Sequence, residues 1–360
     1  MVRPRSTLFS GGATLALLAQ ATSAASSSKY TLTQVFNATN FFSEFNFFNE
    51  PDPTHGFVEY VDAPTANHLS LAGYSQNGVY LGVDYTNTTT TGRKSTRVTS
   101  NQSFTKGLFI ADIAHMPASA SSSCGLWPAY WMFGPDWPTS GEIDILEGVN
   151  TQKSNSITLH TAKGCEMANT GSLSSTKLSN GNCEGNTGCG QTTSATNNYG
   201  AGFNAIGGGI YALEWTDDHI AVWFFPRNSN TCKSLVSASP SSVPNTNNFG
   251  TPLAKFIGNG AGNCSIPSHF KDHNIVFDTT FCGDWAGQVW GQDDTCKGLA
   301  DSCEDWVGQN PKGFQEAYWL VNDIKVYQQM GQETSAGQTN GGLGIQRKPD
   351  EERRRRRFEA

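Results

Sequence analysis

Residues 141–148 read Gly-Glu-Ile-Asp-Ile-Leu-Glu-Gly, and this alternation of β-branched residues with carboxylates is typical of a β-strand. Successive side chains of a strand point to opposite faces of the sheet. Glu142 and Asp144 therefore share one face, while Ile143 and Ile145 point into the core. The pattern predicts a strand with one acidic face and one apolar face.

Glu147 breaks this alternation, because a regular strand would place Leu146, and not Glu147, on the acidic face. One extra residue corrects the register. A β-bulge at Ile145 and Leu146 would return Glu147 to the side of Glu142 and Asp144. We therefore predict a bulge at these two residues and three carboxylates on one face of the strand.

Three carboxylates on one face repel one another, so the arrangement costs stability unless neighbours or function compensate. Glycosidic cleavage uses such a group. One carboxylate attacks the anomeric carbon, and a second, kept protonated by burial and by its anionic neighbours, donates a proton to the leaving oxygen. An acid between them helps to push the two pKa values apart. The alternative is an edge strand whose acidic face simply meets water.

An aromatic block precedes the acids. Residues 125–138 read Gly-Leu-Trp-Pro-Ala-Tyr-Trp-Met-Phe-Gly-Pro-Asp-Trp-Pro, a concentration of rings that a solvated strand face would not need. Flat aromatic faces pack against the apolar faces of pyranose rings, and tryptophan adds an N–H donor. Some of these rings must belong to the core. The block nevertheless favours a carbohydrate-binding surface beside the acids.

The body of the chain has the composition of an all-β protein: it is rich in Gly, Ser, Thr, Asn and aromatic residues and has few windows of helical periodicity. It shows no internal repeat and no Pro-rich linker, so we expect one domain over residues 26–330. The candidate strands are Val79–Asp84, Leu108–Ala114, Glu142–Glu147, Ser156–His160, Ile210–Trp215, His219–Phe225, Asn274–Phe277 and Ala317–Val326.

The two ends differ from this body. Residues 1–25 combine Arg3 and Arg5 with an apolar run and then small residues, the order of a secretory signal peptide, so we expect a secreted, extracellular protein. The apolar run is too short to span a bilayer, and we expect no membrane association.

Residues 331–360 are polar and end in an arginine run, which predicts a disordered tail. Binding of the arginine run to an anionic surface is the alternative.

Cysteine usage agrees with secretion. The nine cysteines include no C-x-x-C pair and therefore predict disulfides of an oxidising compartment rather than zinc ligands. Because nine is odd, at least one thiol is free or pairs elsewhere. Four sequons, which are consistent with glycosylated surface loops, lie at Asn37, Asn87, Asn101 and Asn263.

The formal net charge of −7 excludes some classes of partner. Both ends are basic, so the body between them is more acidic than the whole chain. Such a body repels nucleic acid and anionic lipid, and no basic stripe provides an electrostatic footprint. We expect a monomer with a neutral partner and without a nucleic-acid partner.

Spaced sequence blocks are similar to those of glycoside hydrolase family 16, in its fungal laminarinase-like branch. The main block is G-E-I-D-I-L-E-G at 141–148, whose E-x-D-x-x-E spacing resembles laminarinases rather than lichenases and wall transglycosylases, which resemble E-x-D-x-E. The other blocks are L-W-P-A-Y-W at 126–131, L-H-T at 159–161, E-W-T at 214–216 and F-C-G-D-W-A-G at 281–287.

The resemblance implies a concanavalin A-like β-jelly roll of two antiparallel sheets with a concave substrate groove. It also implies endo-acting, retaining hydrolysis of β-1,3-glucan or mixed β-1,3/1,4-glucan, with no cofactor and no metal. Residue by residue, it gives Glu142 as nucleophile, Glu147 as acid/base and Asp144 as assisting acid. The residues implied to bind substrate are Trp131, Trp137, His160 and Trp285, and His160 is expected to hydrogen-bond Glu147.

Three other functions stay open. A non-catalytic β-glucan-binding protein on this fold would be expected to lose one of the glutamates, and all are present here. A wall-remodelling transglycosylase shares the covalent intermediate but lets a sugar replace water. Calcium held by the acids is disfavoured because flexible oxygen-rich loops suit calcium better than a strand does.

The segment from Cys282 to Cys303 is expected to be a surface loop held by disulfides rather than a cap over one groove end.

Overall fold

The computed structural model describes Met1 and residues 30–75, 78–119, 122–239 and 242–329. Apart from Met1, the predicted signal peptide and the predicted tail lie outside these residues. The described part contains eighteen strands: β1 (Tyr30–Asn37), β2 (Phe45–Phe47), β3 (Val58–Tyr60), β4 (Ala72–Ser75), β5 (Gly78–Gly82), β6 (Arg93–Ser95), β7 (Arg97–Phe104), β8 (Gly107–His115), β9 (Leu126–Phe133), β10 (Glu142–Glu147), β11 (Ser156–His160), β12 (Lys177–Asn180), β13 (Cys189–Thr192), β14 (Gly209–Trp215), β15 (His219–Pro226), β16 (Ala254–Ile257), β17 (His273–Phe281) and β18 (Tyr318–Gln329).

The α-helices of the described part are short and lie in connections between strands. They are α1 (Phe41–Glu44), α2 (Ala63–His68), α3 (Gly200–Ala205), α4 (Asn230–Ser237), α5 (Ile266–His269) and α6 (Cys303–Gln309). None of these helices is long and apolar enough to cross a lipid bilayer.

Two antiparallel eight-stranded sheets carry the fold. The groove sheet has the strand order β12-β13-β11-β10-β9-β17-β7-β2. The back sheet has the order β16-β15-β14-β8-β18-β5-β4, with β1 also paired to β18. A small parallel pair, β3 and β6, completes the described strands. The expected all-β sandwich of two antiparallel sheets is confirmed.

Strand β8 shows how the sequence pattern produces the sandwich. Its residues Phe109, Ala111 and Ile113 are buried in the main core between the sheets. Its alternate residues Leu108 and Ile110 are buried on the other side, in a second core over the outer face of the back sheet. A strand covered on both faces reads as a continuous apolar run.

The predicted strands are all present. The bounds of β10 and β11 are as predicted, and most of the others differ by one or two residues at an end. The largest difference is in β17, which extends the predicted Asn274–Phe277 to His273–Phe281. Buried threonines, Thr279 and Thr280, continue that strand toward the groove, and their hydroxyls hide its extent in a search for apolar residues.

Four disulfides tie the loops to the sheets, and Cys232 is the free, buried cysteine of the described residues. The pairs are Cys124–Cys296, Cys165–Cys264, Cys183–Cys189 and Cys282–Cys303. The prediction of disulfides with one thiol left over is confirmed. The loops they close differ greatly in length, from 6 to 172 residues of sequence separation.

Loop length predicts which disulfide stabilises the fold most. Removing Cys165–Cys264, which closes a loop of 99 residues, should lower the free energy of unfolding by about 2.5 kcal/mol more than removing Cys183–Cys189, which closes a loop of 6. Urea unfolding of the two double Cys→Ala variants measures this difference. The comparison is matched because all four cysteines are buried, and equal losses of stability would contradict it.

Candidate active site

An open groove with a volume of about 1000 Å³ crosses the groove sheet. Its floor is formed by β7, β9, β10, β11, β13 and β17, whose outward side chains alternate with those buried in the core. Glu142, Asp144 and Glu147 all lie in this groove. The predicted acidic face therefore points toward open space that is large enough for several sugar rings.

The predicted bulge in β10 is confirmed. The pairing of β10 with β11 runs from Asp144 opposite Thr158 directly to Glu147 opposite Ser156, so two residues of β10 face one residue of β11. The pairing with β9 shifts at the same place. Both bulge residues are fully buried. Because one extra residue is inserted, Glu147 returns to the face that carries Glu142.

Glu142 lies at the start of β10 with its carboxylate between two N–H groups. The indole Nε1 of Trp137 donates a hydrogen bond of 2.6 Å to Oε2, and Nε2 of His160 lies 4.0 Å from Oε1. Burial raises the pKa of Glu142, and the negative charge of Asp144 raises it further. His160 and Trp137 oppose this rise and stabilise the carboxylate form.

Glu147 lies beyond the bulge and is more enclosed, with 9% of its surface exposed. The indole Nε1 of Trp127 donates a hydrogen bond of 2.7 Å to its Oε1. Burial raises the pKa of Glu147 well above its usual range, and the charge of Asp144 adds to this rise. The ion pairs of His160 are with the other two acids, so Glu147 is the acid that keeps its proton more readily.

His160 does not have the partner expected from the sequence. Its Nε2 lies 3.2 Å from Asp144 Oδ2, and its Nδ1 donates to the carbonyl of Gly185 at 2.8 Å. The expected hydrogen bond to Glu147 is therefore wrong. The cross-strand register explains the error, because His160 lies opposite Glu142 in the β10–β11 pair, at the far end from Glu147.

The carboxylates around His160 favour its protonated form. Burial disfavours its charged form, but the contact with Asp144 and the negative charges of Asp144 and Glu142 outweigh burial and raise the pKa of His160 to about 10. Glu142, Asp144 and His160 each offer a metal-ligand atom, a carboxylate oxygen or a ring nitrogen, and these atoms lie within 4.8 Å of one another. An imidazole must lose its proton to bind a metal, so the raised pKa of His160 favours an ion pair with Asp144 at this position.

The predicted sugar-contact tryptophans all line the groove. Trp137 is the most open of them, with 45% of its surface exposed. Trp131 stacks on Phe133 with ring centroids 5.0 Å apart. Trp285 meets Trp127 edge to face at 5.7 Å. Aromatic rings thus lie beside both glutamates, with Trp137 at Glu142 and Trp127 at Glu147.

The segment that begins at Cys282 is more than the surface loop that the sequence suggested. Asp284, Trp285 and Gln288 line the groove, so this part of the segment borders one end of it. Its remainder packs into a third apolar cluster with Cys296, Trp290 and Val307. The expectation of a plain surface loop is therefore wrong for the first turn of the segment.

A second polar cluster in the groove escaped the sequence reasoning. The guanidinium of Arg97 lies 5.0 Å from the ring centroid of Trp131. Trp131 Nε1 donates to Asp278 Oδ1 at 3.3 Å, and the Tyr60 hydroxyl donates to Asp278 Oδ2 at 3.0 Å. Burial raises the pKa of Asp278 to about 6, while Arg97 opposes the rise. No local motif signals this cluster, because its members come from four different strands.

Two further residues next to the acids were missed. Trp127 belongs to the aromatic block, and strand periodicity could have found it, since Trp127 and Trp131 are four residues apart and share a face of β9. Asn155 is fully buried, and its side chain binds the backbone of the bulge. An asparagine just before a strand is usually read as a turn residue, so the sequence holds no signal for this contact.

Comparison with known sequences gives one consistent family. A family model described as XgeA-like, catalytic domain of glycoside hydrolase family 16, matches residues 45–327. The chain is 42% identical over 341 residues to a probable endo-1,3(4)-beta-glucanase of Aspergillus clavatus, covering 90% of this chain and 51% of the relative. It is 40% identical over 315 residues to an endo-1,3(4)-beta-glucanase of Emericella nidulans, covering 84% and 48%. The chain thus spans about half the length of these curated relatives.

Solved structures agree with the sequence relatives. Laminarinase 16A from Phanerochaete chrysosporium, with 6-O-glucosyl-laminaritriose in both donor and acceptor sites, is 41% identical with a TM-score of 0.75, over 83% of this chain and 99% of that chain. An elongating family 16 beta-1,3-glucosyltransferase is 43% identical with a TM-score of 0.74, over 83% and 100%. The sandwich is thus the jelly roll of these laminarinases, and the chain belongs to glycoside hydrolase family 16.

Proposed function

We propose that this chain is a secreted, endo-acting, retaining β-glucanase that hydrolyses internal β-1,3 or mixed β-1,3/1,4 glucosidic bonds. The observation that carries the proposal is the bulge in β10, which brings Glu142, Asp144 and Glu147 to one face in the groove. The endo-1,3(4)-beta-glucanase relatives support the substrate class. The four disulfides support an oxidising, extracellular location.

The two glutamates divide the chemistry according to their surroundings. Glu142 attacks the anomeric carbon as a carboxylate, while Glu147 gives its proton to the oxygen of the departing sugar as the glycosidic C–O bond breaks. The glycosyl group is then bonded to Glu142. In the second step Glu147 takes a proton from water, the water oxygen attacks the same carbon, and Glu142 is released. Two displacements at one carbon retain its configuration.

Asp144 and His160 help to separate the protonation states of the two glutamates. His160 carries a positive charge 4.0 Å from Glu142, which favours the carboxylate that a nucleophile needs. Asp144 lies between the two glutamates, and its charge raises the pKa of each of them. His160 opposes this rise at both glutamates and is ion-paired with Glu142, whose pKa is still raised to about 8.

An open groove suits an endo-acting enzyme, because a polymer can lie across the sheet and extend beyond both ends. The exposed indole of Trp137 beside the nucleophile provides a flat apolar face for a pyranose ring. Trp131 and Trp285 provide further aromatic faces in the groove. We propose these three residues, together with His160, as the substrate contacts.

Transglycosylation is the second candidate, and one specific finding favours it. A solved relative at 43% identity is an elongating beta-1,3-glucosyltransferase. In this reaction a sugar hydroxyl, rather than water, attacks the glycosyl enzyme and gives its proton to Glu147. The two activities differ in their products: hydrolysis only shortens laminari-oligosaccharides, whereas transfer also makes oligosaccharides longer than the starting material.

The protein should shorten laminarin and lichenan into oligosaccharides of mixed length and leave cellulose and xyloglucan intact. The first product seen by proton NMR should be the β-anomer, because double displacement retains configuration. The substitution Glu142→Gln should lower kcat by more than about 1000-fold, since it removes the nucleophile but keeps the shape of the side chain.

The control for this substitution is Glu59→Gln, which makes the same change in a glutamate that pairs with Lys94 outside the groove. This variant should have the wild-type kcat. Binding of laminarin to Glu142→Gln, measured by calorimetry, should stay close to the binding of the wild-type protein. Comparable hydrolysis by Glu142→Gln, or an α-anomer as the first product, would remove the proposal.

The pH dependence tests the role of His160. The acidic limb of the kcat/KM profile follows ionisation of the nucleophile in the free enzyme. Replacing His160 by Asn removes a positive charge that lowers the pKa of Glu142, so this limb should move to higher pH and activity in acid should fall. The control is His219→Asn, which breaks a histidine–glutamate contact of 3.0 Å on the back sheet. An unchanged acidic limb in His160→Asn would exclude the proposed role.

A further inference from the structure

We propose that Asn155 is a positioning residue, whose side-chain amide holds the bulge of β10 in the conformation that aims Glu147 into the groove. The inference rests on the acid/base role proposed above for Glu147. Asn155 lies outside the groove lining, so it touches no substrate and acts through the backbone of β10.

The amide of Asn155 binds both sides of the bulge. Its Nδ2 donates to the carbonyl of Ile145 at 2.7 Å, and its Oδ1 accepts from the backbone N–H of Glu147 at 2.8 Å. In a regular antiparallel pair, N–H and C=O groups from the backbone of a neighbouring strand would bond to these two positions. In this bulge the primary amide of Asn155 supplies both the donor and the acceptor.

The hydrogen bonds from Asn155 are needed because a bulge interrupts the pairing of the strand. Buried backbone groups that lose their partners are costly, so the strand needs a replacement. Without such a partner, β10 would recover the lost backbone hydrogen bonds by slipping into regular register with β11. Such a slip turns Glu147 toward the core and Leu146 toward the groove, since side chains alternate with a period of two.

Asn155 is itself held in place by buried hydrogen bonds. It has 0% exposure, and its backbone N–H donates to Oδ1 of Asn198 at 3.0 Å. The amide of Asn198 in turn donates to the Thr193 hydroxyl at 2.7 Å, and the Tyr211 hydroxyl donates to the carbonyl of Asn198. The chain of buried hydrogen bonds connects the bulge to β14 of the back sheet, so the amide of Asn155 has one orientation.

The test compares Asn155→Ala with Asn204→Ala. Asn204 makes the same pair of bonds elsewhere, accepting from the N–H of Met116 at 3.0 Å and donating to its carbonyl at 2.9 Å. The control thus loses an equivalent pair of amide hydrogen bonds outside the groove and away from β10. On laminarin, Asn155→Ala should lose about 100-fold in kcat with little change in KM, as expected for a displaced catalytic group, and Asn204→Ala should keep the wild-type kcat.

A second readout separates positioning from general damage. The substrate 2,4-dinitrophenyl β-laminaribioside has a leaving group that departs without a proton, so only its second step needs Glu147. Asn155→Ala should therefore keep the wild-type burst of dinitrophenolate and lose the steady-state rate. Azide should restore that rate by attacking the anomeric carbon and displacing Glu142, giving the β-glycosyl azide. Glu147→Ala should behave in the same way.

The outcomes distinguish this inference from the function it rests on. If the wild-type protein fails to cleave laminarin or inverts configuration, the proposed function fails. If the wild-type protein cleaves and azide rescues Glu147→Ala, then a wild-type kcat in Asn155→Ala overturns only the role of Asn155. An equal loss of burst and steady state without azide rescue also overturns it. If alanine prevents folding, Asn155→Ser, which keeps a small polar group, carries the same expectations.

Discussion

Electrostatic crowding on one strand face is the constraint on which the rest of this structure depends. Glu142, Asp144 and Glu147 occupy six residues of sequence and face the same partly enclosed groove. Repulsion and desolvation both favour protonation of such acids. Each glutamate accepts a hydrogen bond from one indole N–H, Glu142 from Trp137 and Glu147 from Trp127. Only Glu142 is also ion-paired with His160, and this difference makes the two glutamates chemically different.

Geometry and charge are linked through the bulge. A regular strand would point Glu147 into the core, away from the indole N–H of Trp127 from which it accepts a hydrogen bond in the groove. Only Glu142 and Asp144 would then face the groove. The extra residue both places the third acid in the groove and separates it from His160, which stays at the far end of β10. One local irregularity therefore sets both the position of Glu147 in the groove and its separation from His160.

The sequence predicted what is local and missed what depends on pairing between strands. The acidic face, the bulge and the bounds of β10 all follow from the period of two within eight residues. The partner of His160 depends on the register of β11 against β10, which no single segment encodes. The cluster around Asp278 and the contact of Asn155 with the bulge arise between strands that are distant in sequence. The first turn after Cys282 reads as a surface loop although Trp285 in it is an expected substrate contact, because only its packing against Trp127 of β9 shows that this turn borders the groove.

The disulfide between Cys124 and Cys296 has a topological consequence. It closes a loop of 172 residues. This loop contains β9, β10, β11 and β17, and therefore also Glu142, Asp144, Glu147 and His160. A single cut by a protease at any exposed peptide bond inside this loop leaves the two fragments covalently joined. The two fragments then cannot diffuse apart, so a nicked molecule keeps β9, β10, β11 and β17 in one covalently linked unit.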